Sequence, residues 1–425
     1  MKQITFNEAN YDLTVYNIDT FKTSMIDFVF NVPNTDDDIT NIYFLKNLLL
    51  LSSKNYPTFK SISIVLEKLY NAGLNVSISK KANAINLTIS LSVINDCYTE
   101  NGNCSRAIKF LFDLINNPNF TNGRLDKKIF DMIITSLNNN LLKLDENPNI
   151  IAAYNFINHI DPNSFFAVKL IGDSKRISSL TSESVAKYYV DFFKRASVKI
   201  FAVGDFEPDA LNDIIKSNNQ FAINPFTKAE IKPLNISKDI PKKIIEEDDF
   251  EQSILLSYLT INGITPFESL TVGAVFNKIF GQGSLTDKLS HHLREENSLC
   301  YSVQCDLYYY LQSYVISSGI SKKDCNKAIS LIKQSLKEMQ DGSFSDDDIK
   351  QAKKSICFSH DMIYDSIFSI CNLLESEPVH NQPDQQLIIS AIKKVTKADI
   401  MNYAKKIKIV TNYLLAEGKN AKERD

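Results

Sequence analysis

The sequence is poor in histidine, with five in 425 residues: His159, His291, His292, His360 and His380. No His-x-x-Glu-His occurs, so no helix presents two imidazoles to one metal with a carboxylate base beside them. A basic excess is also missing. The 47 Lys and Arg against 50 Asp and Glu leave a net charge of -3, which argues against a nucleic-acid partner. Apolar runs such as Leu48 to Leu51 fall far short of the ~20 residues of a membrane span. The opening residues, MKQITFNEANYDLTVYN, hold no apolar stretch after Lys2, so a secretory signal is not expected. Seven cysteines form no Cys-x-x-Cys, which points to reduced thiols in a cytoplasmic chain. Serine-hydrolase and phosphate-loop motifs are absent as well.

What is present is a repeat. Ala107 to Leu125 (AIKFLFDLINNPNFTNGRL) resembles Ala328 to Ile349 (AISLIKQSLKEMQDGSFSDDDI), and Thr181-x-x-x-Val185-x-x-Tyr188 resembles Thr396-x-x-x-Ile400-x-x-Tyr403. Both matches keep their order at offsets near half the chain, the mark of an internal duplication. Each half reads as strands followed by helices. In the first half, strands are expected over Tyr11 to Ile18, Ser24 to Val32, Leu74 to Ser79, Ala84 to Val93 and Val198 to Val203. Helices are expected from Asp36 to Ser52, with Asp36, Asp37 and Asp38 at the positive N-terminus, and from Ser61 to Tyr70, ended by Gly73. The second half should repeat this with strand Ser253 to Ile261, helix Pro266 to Phe280, helix Thr286 to Arg294, strands from Leu299 and Ser313, then helices. The fold class is α+β: two homologous α/β-roll halves, each an antiparallel sheet packed by helices. The boundaries fall at 1–223 and 244–425, joined by a Pro- and Lys-containing linker over 224–243.

Three stretches carry a family resemblance: GLNVSISKKANAINLTISLSV, SLTSESVAKYYVDFFKRASVKIFAVGDFEPDAL and FGQGSLTDKLSHHLREENSLCYSVQC. Together they resemble the insulinase/pitrilysin superfamily of inverzincin metallopeptidases in its short two-domain form, from Tyr11 to Gly418. Active members place His-x-x-Glu-His on the first helix of the first half. At the matching positions this sequence has Tyr43, Lys46 and Asn47, and near Ile133, where a third glutamate ligand would stand, it is apolar. Tyrosine and asparagine are poor zinc ligands beside imidazole, and an ammonium repels the cation. No metal or other cofactor is therefore expected on this chain. A partial metal site at His291, His292 and Glu295 is outweighed by the reading of a solvated helix end, with the two histidines on different faces.

The resemblance implies a second pair of residues, an arginine and a tyrosine that hold substrate, here Arg294 and Tyr301. A guanidinium and a phenol are donors suited to the oxyanion of peptide hydrolysis. With the zinc ligands lost and this pair kept, the chain resembles the non-catalytic, zinc-less subunit of a heterodimeric metallopeptidase. Its partner would be a zinc-bearing His-x-x-Glu-His paralogue, and its substrate an unfolded peptide. Such pairs serve peptide processing or maturation, whether in elongation factor P modification or in maturing ribosomally made peptides. The alternative is a purely structural or peptide-binding member without a catalytic contribution.

Overall fold

The computed structural model describes residues 2–35, 38–81, 83–228, 230, 232–284 and 286–418. Two compact units are present. The first comprises Met1–Leu142, Lys169–Ala229 and Ile363–Asn381; the second comprises Lys143–Val168, Glu230–Met362 and Gln382–Asp425. Neither unit is one continuous piece of chain: each takes in a short segment from the opposite half of the sequence. The chain passes from first to second at 142/143, 229/230 and 381/382, and the middle crossing falls inside the stretch read as a linker.

The first unit is built on strands β1 (Lys2–Asn7), β2 (Asp12–Asn17), β3 (Thr23–Pro33), β4 (Gly73–Lys81) and β5 (Ala84–Ile94). Two-residue strands β6 (Phe120–Thr121) and β7 (Arg124–Leu125) form a separate hairpin, and β8 (Ser197–Gly204) completes the main sheet in the order β1-β2-β8-β3-β5-β4. The second unit has β9 (Lys243–Asp248), β10 (Ser253–Ile261), β11 (Val303–Tyr308), β12 (Ser313–Ile320) and β13 (Ile407–Glu417), ordered β11-β12-β10-β13-β9.

Leaving β1 aside, the two orders are the same. Strand β2 runs parallel to β8 as β9 does to β13, and the other three pairings in each sheet are antiparallel. The α+β class and two helix-packed sheets agree with the sequence reading, and each sheet adds one parallel pair. That pair arises because β8 and β13 each return to the sheet after a run of helices, which frees the strand direction from hairpin geometry. The local repeat signals hold too. Thr181 and Thr396 each cap a helix N-terminus with a capping box, and Ala107 and Ala328 are both fully buried.

The central strands explain the layering. Every residue of β3 between its two ends is buried, and β10 is nearly as enclosed. Alternation puts Phe28 and Phe30 on one face, where they meet Phe112 and Phe193 edge-on with ring centroids 5.6 and 5.1 Å apart. Met25 and Val29 face the other way, against Ile370, Cys371, Leu374 and Val379. The helix Ile367–Ser376, which covers that face, comes from the second half of the chain. Strand β10 shows the mirror arrangement. Leu255, Leu259 and Ile261 join the core of Phe276, Ile332 and Tyr403, whereas Ile254, Leu256 and Tyr258 are covered by Ala152, Phe156 and Ile160. Those three lie on the helix Pro148–Ile160, from the first half of the chain. Phe156 is packed against Tyr258 and Tyr413 at centroid distances of 6.2 and 5.6 Å. Phe156→Ala should therefore lower the unfolding free energy by about 3–5 kcal/mol, read by denaturant titration; a loss under about 1 kcal/mol would show that this helix is not a structural cover.

Candidate functional site

The helix matching the family's zinc helix is described over Asp38–Leu51 and ends one residue before the expected Ser52. Asp36 and Asp37 lie outside the described residues. Asp38 is not a solvated dipole partner: it is buried, and accepts hydrogen bonds from the Tyr188 hydroxyl, the Arg195 guanidinium and, at 2.5 Å, the Thr35 hydroxyl. Arg195 Nη2 also donates to the Tyr188 oxygen at 3.1 Å. Burial and the Asp38 charge push the Tyr188 phenol far up, which keeps it a donor. This carboxylate-centred cluster fastens the helix start to the helix Ser182–Arg195.

Tyr43, Lys46 and Asn47 come together on one partly exposed face, as i, i+3 and i+4 positions must. Asn47 Nδ2 donates to the Tyr43 carbonyl at 2.8 Å, and Lys46 Nζ sits 5.2 Å from the centre of the Tyr43 ring. Burial pushes the Tyr43 phenol up, so it is a neutral hydroxyl rather than a phenolate ligand. Ile133, at the third ligand position, is buried on the helix Lys127–Asp145. Asp126 caps that helix through the Ile129 amide at 3.1 Å, and Asp131 is exposed to solvent. These residues do not fit zinc. Among the described residues, no group of three or more His, Cys, Asp or Glu could hold a metal ion.

The other candidate pair lies in the second unit. The expected helix Thr286 to Arg294 is replaced by one turn, Lys288–Ser290, and a π-helical turn, His291–Glu295, closed by the Glu296 amide on the His291 carbonyl at 2.9 Å. Asp287 caps the first turn through the Ser290 amide at 2.7 Å. Ser298 is left-handed, with φ 49°, and reverses the chain so that the Leu299 amide reaches the Leu293 carbonyl at 2.8 Å. The strand expected from Leu299 begins only at Val303, so Tyr301 precedes it and stands 91 % exposed. Arg294 is partly exposed, its Nε donating to Glu295 Oε1 at 2.7 Å. Arg294 and Tyr301 are thus carried on one irregular segment, without a hydrogen bond between them. The preceding glycine turn packs backbone closely: Gly281 accepts from the Cys305 amide at 2.6 Å, and a Cβ there would lie 2.3 Å from Leu289 Cδ1.

The histidine pair differs from expectation. His292 is buried, with Nδ1 2.9 Å from Glu296 Oε2 and Nε2 2.8 Å from Glu338 Oε1. His291 reaches the same Glu296 at 3.2 Å, so both histidines meet one carboxylate and neither pairs with Glu295. Lys288 Nζ completes the bridge, 3.1 Å from Glu338 Oε2. The hydrogen bond from His292 holds the Glu296 carboxyl below its ordinary range. Burial raises Glu338, but hydrogen bonds from Gln334, Lys288 and His292 outweigh it and lower it. The imidazole is a bridge that ties the Arg294 turn to the helix Cys325–Asp341, not the solvated helix end expected from sequence. No local signal announced it, because Glu338 lies 46 residues away.

A family model described as the peptidase M16 inactive domain matches residues 179–356. The probable inactive metalloprotease YmfF of Bacillus subtilis (strain 168) is 24 % identical over 411 residues, 93 % of each chain. The non-peptidase homolog YmxG of Helicobacter pylori is 20 % identical over 334 residues, 78 % of this chain and 74 % of that one. A conserved protein of Enterococcus faecalis V583 has the same fold, with a TM-score of 0.89 at 23 % identity over 98 % of this chain and 99 % of that one. Residues 179–356 are thus similar to the peptidase M16 inactive domain, and the relatives that are similar over most of the chain are described as a probable inactive metalloprotease and a non-peptidase homolog. No helix among the described residues is long and apolar enough to cross a membrane.

Two outcomes follow. Elemental analysis of the dialysed chain should find far less than one zinc per molecule; stoichiometric zinc would return His291, His292 and Glu295 to consideration as ligands. His292→Ala should cost about 1–3 kcal/mol, since it removes two hydrogen bonds to carboxylates, whereas exposed His291→Ala should cost under about 1 kcal/mol. Equal effects in denaturant titrations would contradict the bridge.

Proposed function

We propose that the chain is the zinc-less subunit of a cytoplasmic, heterodimeric insulinase-type metallopeptidase, and that it supplies Arg294 and Tyr301 to the peptide bound at a zinc-bearing paralogue. The observation that carries this reading is an asymmetry within one chain. The former zinc positions have closed on one another through the Tyr43, Lys46 and Asn47 contacts, while Tyr301 stands almost fully exposed on the segment that carries Arg294. An exposed phenol gains little for the stability of its own chain, whereas a phenol and a guanidinium are donors of the kind a developing carbonyl oxyanion requires. The substrate class is an unfolded peptide, since both donors address backbone carbonyl oxygen rather than a particular side chain. The inactive and non-peptidase descriptions of its relatives agree with a chain that does not hydrolyse peptides alone.

The test is reconstitution with the zinc-bearing paralogue and a peptide substrate. Arg294→Ala should reduce turnover by about 10² to 10³ while leaving assembly intact, and Tyr301→Phe should reduce it in the same direction. Full activity in both variants would sink this reading and leave the chain a structural or peptide-binding subunit.

A further inference from the structure

The two helices exchanged between the halves of the sequence are fastened to their sheets by opposite chemistry. In the second unit, Glu246 on β9 receives hydrogen bonds from Asn155 at 3.0 Å and Tyr413 at 2.5 Å, and lies 2.7 Å from His159 Nε2. Asn155 and His159 belong to the covering helix Pro148–Ile160, so a carboxylate is met by donors. In the first unit the covering helix meets its sheet acid against acid. Asp27 on β3 is 3 % exposed, on the same face as Met25 and Val29, and meets Glu375, 6 % exposed, and the Cys371 thiol, both on the helix Ile367–Ser376. From β5, which pairs Ser90 with Asp27, only the Ser90 hydroxyl joins them. One Asp27 oxygen, Oδ1, is buried with no hydrogen-bond partner.

The lysines on the neighbouring elements are engaged elsewhere, and one histidine approaches the pair. Lys199 on β8 is held by Asp12 at 2.5 Å and Lys228 faces Glu377 at 3.6 Å, while His380 Nε2 lies within ion-pair distance of Glu375 Oε2, at 3.7 Å, on the Glu375 side of the pair. Two carboxyl groups buried in contact cannot both ionise without strong repulsion.

We infer that Asp27 and Glu375 form a proton-operated latch: while they hold a proton between them the helix Ile367–Ser376 is fastened to its sheet, and when both ionise it is released. Burial raises the carboxyl of Asp27, and burial together with the Asp27 charge raises that of Glu375. The sign follows. A carboxyl that binds its proton more tightly in the closed state adds stability at low pH, and that stability is lost as pH rises from the ordinary carboxylate range through the raised value. The proton leaves to solvent, and release uncovers Met25, Val29, Phe201 and Val203. The Glu246 clamp has the opposite sense: burial raises Glu246, but bonds from Tyr413, His159 and Asn155 outweigh it, so ionisation tightens that helix.

Hydrogen–deuterium exchange of the full chain between about pH 5 and about pH 9, corrected for the chemical exchange rate, tests this without any partner. In the native sequence, opening of the Ile367–Ser376 helix should rise by about tenfold per pH unit for each proton released, while the Pro148–Ile160 helix shows no such rise. Glu375→Gln removes one acid and the charge facing the other, so it should reduce the slope to that of one proton at most, and Asp27→Asn provides a second variant with the same expectation. Protection that is independent of pH in the native sequence overturns the latch. So does an unchanged slope in a folded variant.

Discussion

Both units depend on one constraint: their central strands are buried on both faces. A strand such as β3, buried along nearly its whole length, needs a layer on each side, because apolar area left to water costs roughly 25 cal/mol per Å². The helices of its own half cover one face only. The second layer is a helix from the other half of the chain, Ile367–Ser376 in the first unit and Pro148–Ile160 in the second. Neither unit therefore has a complete core made from its own half of the sequence. The same demand places polar groups where the borrowed helix meets the sheet, around Asp27 in one unit and Glu246 in the other.

The duplication then diverged in its sites. On the Asp38–Leu51 helix the i and i+4 positions still share a face, as backbone geometry requires, but they now carry groups that satisfy one another. A lysine over a tyrosine ring puts positive charge on the face that carries positions 43 and 47, so electrostatics as well as ligand chemistry oppose a divalent cation there. In the second unit, the turn bearing Arg294 is irregular: a π-turn, a left-handed Ser298, and only then a strand. Such a segment would be free to fray. Leu293, fully buried, and His292, bridged to Glu296 and Glu338, hold it from beneath while Tyr301 remains in solvent. A rigid base and an exposed donor are what a binding group needs.

Much of this was legible in the sequence. Alternating Ile26, Phe28, Phe30 and Val32 marked β3, and Ser253 to Ile261 and Pro266 to Phe280 are observed with the boundaries read from pattern. Thr181 and Thr396 announced matching helix starts, because a hydroxyl cap acts on residues three positions away. Strand β1 was missed; it lies at the edge of its sheet, where one neighbour and partial exposure weaken the alternation signal. The segment 286–302 was read as a regular helix and strand, since its helical turns are too short for the phase shift of an extra residue to show in the apolar pattern.

What the sequence determined by itself is whatever depends on neighbours along the chain: element types, the repeat, and the absence of imidazole and glutamate at positions 43, 46 and 47. The tertiary structure decided which distant groups meet. Asp38 finds Arg195 across 157 residues, Asp27 meets Glu375, and each sheet receives a helix from the other half of the chain. A carboxylate in a sequence carries no sign of whether water, a guanidinium or another acid will face it. Only packing decides that, because burial turns a modest charge interaction into one that can hold a helix in place or let it go.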